Sequence, residues 1–317
     1  MRILVTGGAG FIGSHLVEKL LAERHDVAIL DDFNDFYDPQ IKRANISAMA
    51  KQVAVHDVDL RDAAKITDLF RKEKFGAIFH LAARAGVRPS IQQPQLYYDT
   101  NVAGTLHLLE GARKSGVDRF IFASSSSVYG AAKKVPFSEE EHLTQTLSPY
   151  AATKIAAEFL CSTYSHLYTM RVVALRYFTV YGARQRPDLA IHHFTRKIHA
   201  GEAIDQFGDG TTRRDYTYID DIIQGTMAAL KYDGPMFDVF NLGESETIQL
   251  KDLIVAIESA LGKKAKINRL PEQPGDMSLT CADTSKARKL LGYNPKTKFE
   301  DGLLKFVDWF LKSRGKK

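Results

Sequence analysis

Residues 2–13 read Arg-Ile-Leu-Val-Thr-Gly-Gly-Ala-Gly-Phe-Ile-Gly, an apolar run followed at once by a glycine-rich turn. An amphipathic run over 14–23 comes next, and a second apolar run over 27–30 ends at Asp31 and Asp32. The pattern predicts a strand, a tight turn, a helix, a second strand and an acid. Glycines in such a turn let the backbone approach a pyrophosphate closely, and the helix N-terminus presents N–H groups to the phosphates.

The spacing of the glycines and the acid narrows the class of ligand. Gly7, Gly10 and Gly13 form Gly-x-x-Gly-x-x-Gly rather than Gly-x-Gly-x-x-Gly, and Asp31 follows Gly13 by 18 residues. A carboxylate near that position accepts hydrogen bonds from the adenosine ribose hydroxyls. It also repels a 2′-phosphate, so the pattern favours NAD over NADP. A glycine pattern alone is a weak signal, but here both strands, the helix and the acid accompany it.

Apolar strands and amphipathic helices continue to alternate up to residue 176. Strands are predicted at 52–56, 77–81, 119–123 and 171–176, and helices from 62 onward, at 90–114 and at 148–167. This alternation predicts a doubly wound α/β fold, in which helices cover both faces of a parallel sheet. Ligands of such sheets bind beyond the carboxyl ends of the strands. Candidate residues fall at these ends in the glycine turn, at Asp59, and at 82–86, 124–127 and 177–179.

The regular alternation of strands and helices ends after residue 176. Loop-like sequence at 181–187 is followed by predicted helices at 189–200, 220–230 and 250–261, strands at 237–241 and 266–270, turns at 207–210 and 271–276, and C-terminal helices. We predict a smaller, discontinuous second α/β domain that closes over the first. No internal repeat or flexible linker is visible.

Tyr150 and Lys154 are the candidate catalytic pair. Their spacing of four places both side chains on one face of the predicted helix, with Cβ atoms ~5–6 Å apart. A phenol ordinarily has a pKa of about 10, and a nearby cation favours the phenolate. We therefore expect Lys154 to make Tyr150 a usable general base near neutral pH, with the upstream serines bonding the same substrate hydroxyl. Alone, Tyr-x-x-x-Lys is a weak signal that favours an exposed aromatic followed one turn later by a surface lysine, and the first thirteen residues are what support the catalytic interpretation.

Composition excludes several other classes of protein. The 317 residues are 44% hydrophobic and 26% charged, and 43 basic and 38 acidic residues give a net charge of +5 without a concentrated basic face. This argues against nucleic-acid binding. Two distant cysteines, Cys161 and Cys281, indicate a reducing compartment. No spacing typical of a metal site, no signal peptide and no membrane span are predicted, so the cytoplasm is the expected location.

The chain resembles the extended short-chain dehydrogenases over nearly its whole length. The similarity is to their nucleotide-sugar branch, the NAD-dependent epimerases and dehydratases, and the residues that carry it are the glycine turn, 80–83, Tyr98 with Asn101, 124–130, 150–154, 214–216 and 274–276. More narrowly, residues 32–39, 85–88, 177–182 and 186–188 resemble the UDP-glucuronate 4-epimerases. The resemblance implies an NAD-binding Rossmann domain at 1–176 and 214–243. It implies a UDP-sugar-binding domain at 177–213 and 244–317, and a homodimer built on the helices at 90–114 and 148–167.

The resemblance also implies a role for individual residues. It makes Tyr150 the general base, with Lys154 lowering its pKa and Ser125 and Ser127 flanking the reacting sugar. It assigns NAD, tightly bound and regenerated in each cycle, to Gly7, Gly10, Phe11, Ile12, Gly13, Asp31, Asn34, Lys42, Asp59, Leu60, Leu81, Ala82, Ala83, Asn101, Tyr150, Lys154 and Tyr177. It assigns the UDP-sugar to Arg88, Ser127, Thr179, Arg186, Gln206, Phe207, Arg214 and Asp276.

Structural interpretations of some of these residues remain open at this point. Asp59 is also placed to cap the helix that starts near residue 62, Asn101 to tie a helix to a strand, and Asp276 to stabilise a turn. Of the adjacent Arg213 and Arg214, one is expected to face solvent. The chain has Gln273 where most 4-epimerases of neutral sugars have an arginine. We interpret His80, His192 and His193 as structural.

The reaction that the resemblance implies is 4-epimerisation of UDP-glucuronate through a transient 4-keto sugar. Related dehydratases carry Asp-Glu, and related decarboxylases a glutamate, where this chain has Ser126 and Ser127. Without a carboxylate there, simple return of hydride is favoured over elimination. The alternatives are a 4-epimerase of another UDP-sugar, such as UDP-glucose, UDP-galactose or a UDP-N-acetylhexosamine, a UDP-glucuronate decarboxylase, and a non-catalytic NAD-binding scaffold.

Overall fold

The computed structural model of the protein describes residues 1–272 and 277–314. Its strands are β1 (Arg2–Thr6), β2 (Asp26–Asp31), β3 (Ala54–Asp57), β4 (Ala77–His80), β5 (Arg119–Ser125), β6 (Arg171–Tyr177), β7 (Thr179–Tyr181), β8 (Ala203–Phe207), β9 (Arg213–Arg214), β10 (Tyr216–Tyr218), β11 (Phe237–Leu242), β12 (Ile248–Gln249) and β13 (Lys266–Leu270). Its helices are α1 (Phe11–Ala22), α2 (Pro39–Ile46), α3 (Ala63–Lys72), α4 (Val87–Gln92), α5 (Pro94–Tyr98), α6 (Gly104–Ser115), α7 (Pro149–Tyr168), α8 (Ala190–Ala200), α9 (Ile219–Leu230), α10 (Leu250–Leu261), α11 (Ser285–Leu291) and α12 (Phe299–Arg314).

A seven-stranded sheet forms the centre of the molecule. The strand order is β11-β6-β5-β4-β1-β2-β3, and every neighbouring pair is parallel. The chain winds outward from β1 in one direction through β2 and β3, and in the other from β4 onward. A crevice therefore opens between the loops after β1 and β4, which is where such sheets bind ligands. The predicted doubly wound parallel sheet of the Rossmann type is confirmed.

Residues of each strand alternate between two hydrophobic cores, because successive side chains point to opposite faces of a sheet. Ile3, Val5 and Ile29 belong to the core on one face, which also contains residues of α1 and α9. Leu4 and Ala28 belong to the core on the other face, which contains residues of α3, α6 and α7. The full burial of all five residues explains why these strands read as continuous apolar runs.

The remaining strands form three two-stranded sheets, β7 with β10, β8 with β13, and β9 with β12. They lie in or beside the segments that the sequence assigns to a second domain. The first hydrophobic core extends into these segments through residues such as Val180, Leu253 and Phe306. The division at 1–176 with 214–243 and 177–213 with 244–317 stays a prediction.

The structure differs from the expected elements in three places. The helix predicted over 90–114 is interrupted, because Pro94 has no N–H to donate and a π-helical turn at Asp99–Ala103 precedes α6. Helix α1 begins at Phe11, since the glycine turn itself leads into the first helical turn. Strands β7, β8, β9, β10 and β12 were not predicted, because runs of two to five residues are too short to show a period.

No helix within residues 1–272 and 277–314 combines the length and the apolar character needed to cross a membrane.

Candidate active site

A cavity of about 470 Å³ lies at the carboxyl ends of the strands of the large sheet. Most of the predicted site residues line it. They are Gly7, Gly10, Phe11, Ile12, Gly13, Asp31, Asn34, Lys42, Asp59, Leu60, Leu81, Ala82, Ala83, Ser125, Ser127, Tyr150, Lys154, Tyr177, Thr179 and Arg186. The structure thus brings together residues that are up to 179 positions apart in the chain, counted from Gly7 to Arg186.

The glycine turn forms one wall of the cavity. Gly7 has φ +68°, and a Cβ atom there would lie 2.7 Å from the backbone nitrogen of Ala82. A Cβ atom on Gly13 would lie 2.1 Å from the carbonyl oxygen of Gly7. Gly10 caps α1 without a side-chain hydrogen bond. The first N–H groups of α1, from Phe11 onward, have no acceptor within the helix and suit the phosphates of a dinucleotide.

Asp31 lies at the far end of the cavity and is almost fully buried. Its carboxylate accepts hydrogen bonds from the backbone N–H groups of Ala9 (3.2 Å) and Phe33 (3.0 Å) and from Lys42 Nζ (3.2 Å). Burial raises the pKa of Asp31, and the charge of Lys42 opposes this rise. Lys42 Nζ also lies 3.6 Å from the carboxylate of Asp32. The lysine therefore compensates two carboxylates at the position expected for the adenosine ribose.

Asp59 lines the same end of the cavity. Its carboxylate accepts hydrogen bonds from the backbone N–H of Arg61 (2.8 Å) and from the guanidinium of the same residue. Burial alone would raise the pKa of Asp59, but the hydrogen bonds from Arg61 outweigh it and the pKa is lowered. The capping interpretation of Asp59 is wrong, because Asp62 caps α3 by accepting from the N–H of Lys65 (3.0 Å).

Helix α7 places Tyr150 and Lys154 in the cavity. Ser148 caps this helix by accepting from the N–H of Ala151 (3.2 Å), and Pro149 occupies its first position. Lys154 is 4% exposed, and its Nζ donates to the carbonyl oxygen of Ala123 on β5 (2.7 Å). Burial lowers the pKa of Lys154 to about 8.

The ionisation of Tyr150 differs from the expectation. Burial raises the pKa of Tyr150, and the groups that oppose this rise are the hydroxyl of Ser125 and the charge of Arg186. We expected Lys154 in that role from its spacing alone. Its ammonium donates to the backbone of β5, and its effect on Tyr150 stays a prediction, whereas the charge of Arg186 favours the phenolate.

The serines after β5 lie beside Tyr150. Ser125 Oγ donates to Ser127 Oγ (3.2 Å) and accepts from the N–H of Ser127 (3.2 Å). Ser124 donates to the carboxylate of Glu158, which is buried beneath the cavity. Among the described lining residues the carboxylates are Asp31, Asp32 and Asp59, which follow β2 and β3. Tyr150 thus has hydroxyl groups rather than an acid as neighbours.

Arg186 faces the cavity from the loop after β7. Its Nε and Nη2 donate to the two carboxylate oxygens of Asp188 at 3.0 and 2.7 Å. Burial would raise the pKa of Asp188, but this paired contact lowers it. The guanidinium carbon of Arg186 also lies 5.3 Å from the ring centre of Phe36. A held cation beside the candidate base suits an anionic substrate group.

Four predicted substrate residues lie outside the lining of this cavity: Arg88, Gln206, Phe207 and Arg214. Two of them meet each other, since the guanidinium carbon of Arg88 lies 4.4 Å from the ring centre of Phe207. Gln206 is buried, and its amide donates to the carbonyl oxygen of Gly208 (3.3 Å). One of the adjacent Arg213 and Arg214 was expected to face solvent. Arg213 is half-buried and donates hydrogen bonds to Thr247. Asp276 and Gln273 lie outside the described residues.

Asn101 does not line the cavity either. Its side chain accepts from the N–H of Arg84 (2.8 Å) and donates to the carbonyl oxygen of Arg84 (3.0 Å) and to Thr153 Oγ1 (3.1 Å). It therefore ties the π-helical turn to the loop after β4 and to α7, whereas the structural interpretation expected a strand as the partner.

His80 is structural as well. Its ring nitrogens bond Thr6 Oγ1 (2.7 Å) and Thr105 Oγ1 (2.9 Å), and burial lowers its pKa to about 3. His192 bonds the carbonyl oxygen of Gln185 (2.6 Å). Among the described residues no group of histidines, cysteines and acids has a geometry that could hold a metal ion.

Among the lining residues that received no role from the sequence are Phe36, Tyr37, Arg84 and Thr100. The aromatic pair at 36–37 was visible as part of a motif, but nothing local indicated that it reaches the cavity. The hydroxyl of Thr100 is buried without a hydrogen-bond partner in the structure. Its direction depends on the π-helical turn, which the sequence pattern did not reveal.

Comparison with known proteins places the chain in a family. Residues 4–306 match the family model described as GDP-mannose 4,6 dehydratase. The UDP-glucuronate 4-epimerase of Thermodesulfobacterium geofontis is 43% identical over 309 residues, which cover 96% of this chain and 95% of that protein. A crystal structure of UDP-glucuronic acid 4-epimerase from Bacillus cereus, in complex with UDP-glucuronic acid and NAD, superposes with a TM-score of 0.92 at 39% identity and covers 99% of this chain and 100% of that one. The UDP-glucose 4-epimerase of Thermotoga maritima also superposes with a TM-score of 0.92, at 33% identity and the same coverage. The chain therefore belongs to this family of NAD-dependent nucleotide-sugar epimerases and dehydratases.

Proposed function

We propose that the protein is a UDP-glucuronate 4-epimerase, which interconverts UDP-glucuronate and UDP-galacturonate through a transient 4-keto sugar. The observation that carries this proposal is that Tyr150 and Arg186 line one cavity and that, within residues 1–272 and 277–314, the tyrosine has hydroxyl groups rather than a lining carboxylate beside it. The relatives and solved structures named above support the same activity.

The described residues fit NAD as the cofactor. The glycine turn and the first N–H groups of α1 would hold the pyrophosphate, and Asp31 with Lys42 would face the adenosine ribose. Lys154 would bind the nicotinamide ribose. When bound, NAD would supply the reversible hydride acceptor that oxidation and reduction at C4 of the sugar require. No net oxidation results, so we propose that the cofactor stays tightly bound between cycles.

Tyr150 moves the proton in this scheme. Its phenolate oxygen takes the proton of the sugar 4-hydroxyl as the hydride leaves C4, and returns it after the sugar has turned to present its other face. Ser125 and Ser127 bond the same hydroxyl. Arg186 stabilises the phenolate and, with Thr179, would hold the sugar carboxylate. Arg88, Gln206, Phe207, Arg214 and Asp276 would hold uridine and diphosphate during the turn.

The serines favour return of hydride over elimination. A dehydratase needs an acid and a base beside the tyrosine, and Ser126 and Ser127 have neither a suitable pKa nor a charge at neutral pH. We therefore do not expect this chain to have the dehydratase activity that the name of the family model describes. It also argues against UDP-glucuronate decarboxylation.

The test is proton NMR of the purified protein with UDP-glucuronate and no added cofactor. We expect the signals of UDP-galacturonate to appear, which would show epimerisation and retained NAD together. A UDP-pentose or a 4-keto-pentose as the product would instead identify a decarboxylase and contradict the argument from the serines. If nothing changes even after NAD is added, the proposed substrate is wrong.

A 4-epimerase of another UDP-sugar is the second candidate, and the structural similarity to the UDP-glucose 4-epimerase of Thermotoga maritima favours it. The rates on UDP-glucuronate, UDP-glucose and UDP-N-acetylglucosamine separate the two. A non-catalytic NAD-binding scaffold is less favoured, since it has no use for Ser125, Tyr150 and Lys154 in one cavity.

We also propose a homodimer that pairs α6 and α7 across a two-fold axis. The support is apolar side chains at the surface of these helices and of α5: Phe159 is 67%, Tyr98 54% and Leu106 37% exposed. A cytoplasmic location and a role in polysaccharide biosynthesis remain predictions.

A further inference from the structure

The loop between β2 and α2 reaches across the cavity. The loop is fixed at the adenosine end of the cavity. There, Lys42 Nζ donates to Asp31 and lies 5.5 Å from the ring centre of Tyr37. Within the loop, the side-chain oxygen of Asn34 accepts from the N–H of Phe36 (3.1 Å). The loop is therefore anchored on the cofactor side and directs two aromatic side chains, Phe36 and Tyr37, to the cavity wall.

Phe36 meets two arginines from other loops at its tip. Its ring centre lies 6.0 Å from the guanidinium carbon of Arg84 and 5.3 Å from that of Arg186. Arg84 follows β4 and its backbone is held by Asn101, whereas Arg186 follows β7. Loops from three strands thus converge on one phenyl ring. Guanidinium groups at these distances are attracted by the face of an aromatic ring.

The contact with Phe36 adds to the ion pair with Asp188 in orienting Arg186. Arg186 donates two hydrogen bonds to the carboxylate of Asp188, whose side chain is 40% exposed, so water competes for these bonds. The arginine side chain is only 18% exposed, because it lies against the cavity wall that includes Phe36. An aromatic face restricts the guanidinium plane without competing for its N–H donors.

We propose that Phe36 is a positioning residue that sets substrate specificity by orienting Arg186 toward the carboxylate of the sugar. Phe36 acts through Arg186 and not on the reacting atoms. The inference rests on the proposed function, since it needs a substrate with a carboxylate at this end of the cavity. It assigns a role to the aromatic residue at position 36, which the proposed mechanism does not use.

The proposal predicts a selective loss. In Phe36→Leu the apolar bulk remains and the aromatic face is lost, so KM for UDP-glucuronate should rise about three- to tenfold. Affinity for UDP-glucose, measured as inhibition of that reaction, should change less than twofold, and bound NAD should stay at the wild-type level. Phe36→Tyr keeps the ring and should restore the wild-type KM.

A double-mutant cycle with Arg186→Met tests whether the effect passes through the arginine. We expect Phe36→Leu to change kcat/KM less than twofold when Arg186 is absent. Tyr168→Leu is a matched control, since it removes an arginine contact (Arg113, 4.9 Å) at the far end of α7 and should leave KM unchanged.

Each remaining outcome overturns the inference. Equal losses for UDP-glucuronate and UDP-glucose, or a loss that persists in Arg186→Met, would make Phe36 a general structural residue. Reduced NAD content in Phe36→Leu would assign the ring to the cofactor instead. If wild-type protein epimerises UDP-glucuronate and Phe36→Leu does so equally well, the inference fails while the proposed function stands. Wild-type protein that does not epimerise UDP-glucuronate would overturn both.

Discussion

Arg186 has two chemical tasks at the scale of a single residue. It is the cation that opposes the rise in the pKa of Tyr150, and it faces the place proposed for the sugar carboxylate. The 4-keto form of a uronic acid is a β-keto acid, which loses CO₂ readily. A held carboxylate, with its C–C bond out of line with the ketone, would resist this loss.

Arg186→Ala should therefore slow epimerisation and release a decarboxylated 4-keto-pentose. Loss of a charged hydrogen-bond partner typically costs about 2 kcal/mol, so kcat/KM should fall about 30-fold. Product analysis by NMR over a full time course checks both effects. Wild-type rates without leaked product would refute this role for the arginine.

Lys154 gives the reaction a pH dependence. Its pKa is lowered to about 8 by burial, so the ammonium that we propose binds the nicotinamide ribose is present below pH 8 and lost above it. The rate should accordingly fall as pH rises through about 8. Lys154→Arg keeps its charge at these pH values, because guanidinium has a pKa above about 12, and should move the fall to higher pH.

The measurement is kcat as a function of pH for both proteins at saturating substrate. A fall at the same pH in Lys154→Arg would assign the ionisation to another group. If the arginine variant is inactive, NMR titration of the Lys154 side chain in the wild-type protein measures the pKa directly. A value near 10 would contradict the prediction.

At the scale of elements, a buried ion pair joins α7 to β6. Glu158 accepts from Arg176 at 2.8 and 3.0 Å, and both side chains are under 10% exposed. Ser124 donates to the same carboxylate, and Arg176 also donates to the hydroxyl of Tyr129 (3.1 Å). Glu158 follows Lys154 by one helical turn. The pair thus holds the catalytic helix against the strand that carries the serines and its neighbour.

Removing one partner should leave an uncompensated buried charge. We expect Glu158→Leu or Arg176→Met alone to lower the free energy of unfolding by about 3–5 kcal/mol. The double variant should cost less than the sum of the two, since no charge is then stranded. Urea unfolding at fixed protein and NAD concentrations measures this difference. Additive losses would show that the two residues do not act as a pair.

The proposed dimer is a property of the whole molecule. Phe159 on α7 is 67% exposed, an unusual position for a phenyl ring unless something covers it. Phe159→Glu should convert a dimer to a monomer in sedimentation velocity, because the charge would be buried across the two-fold axis. Val255→Glu on α10 is the matched control, since Val255 is 56% exposed on another face and should leave the dimer intact. A monomeric wild-type protein would contradict the proposal.

Local chemistry let the sequence predict much of this molecule. The glycine turn, its flanking strands and Asp31 are neighbours in the chain, and their backbone geometry follows from residue type. The apolar runs of β1, β2 and β4 are fully buried because helices cover both faces of the sheet. The residues at the strand ends therefore met at one cavity as predicted. The prediction of a continuous helix over 90–114 was wrong, because Pro94 and the π-helical turn interrupt it.

The sequence by itself determined the parallel sheet, the dinucleotide-type turn and the shared helical face of Tyr150 and Lys154, because each depends on residues close in the chain. Only the tertiary structure decided that Arg186 acts on Tyr150, that Phe36 reaches Arg186, and that Arg88 meets Phe207 instead of lining the main cavity. The last two contacts join residues that are 150 and 119 positions apart in the chain. Such contacts depend on how the strands are ordered and how the loops pack over them. The hydrophobic period of a short stretch of sequence reveals neither of these.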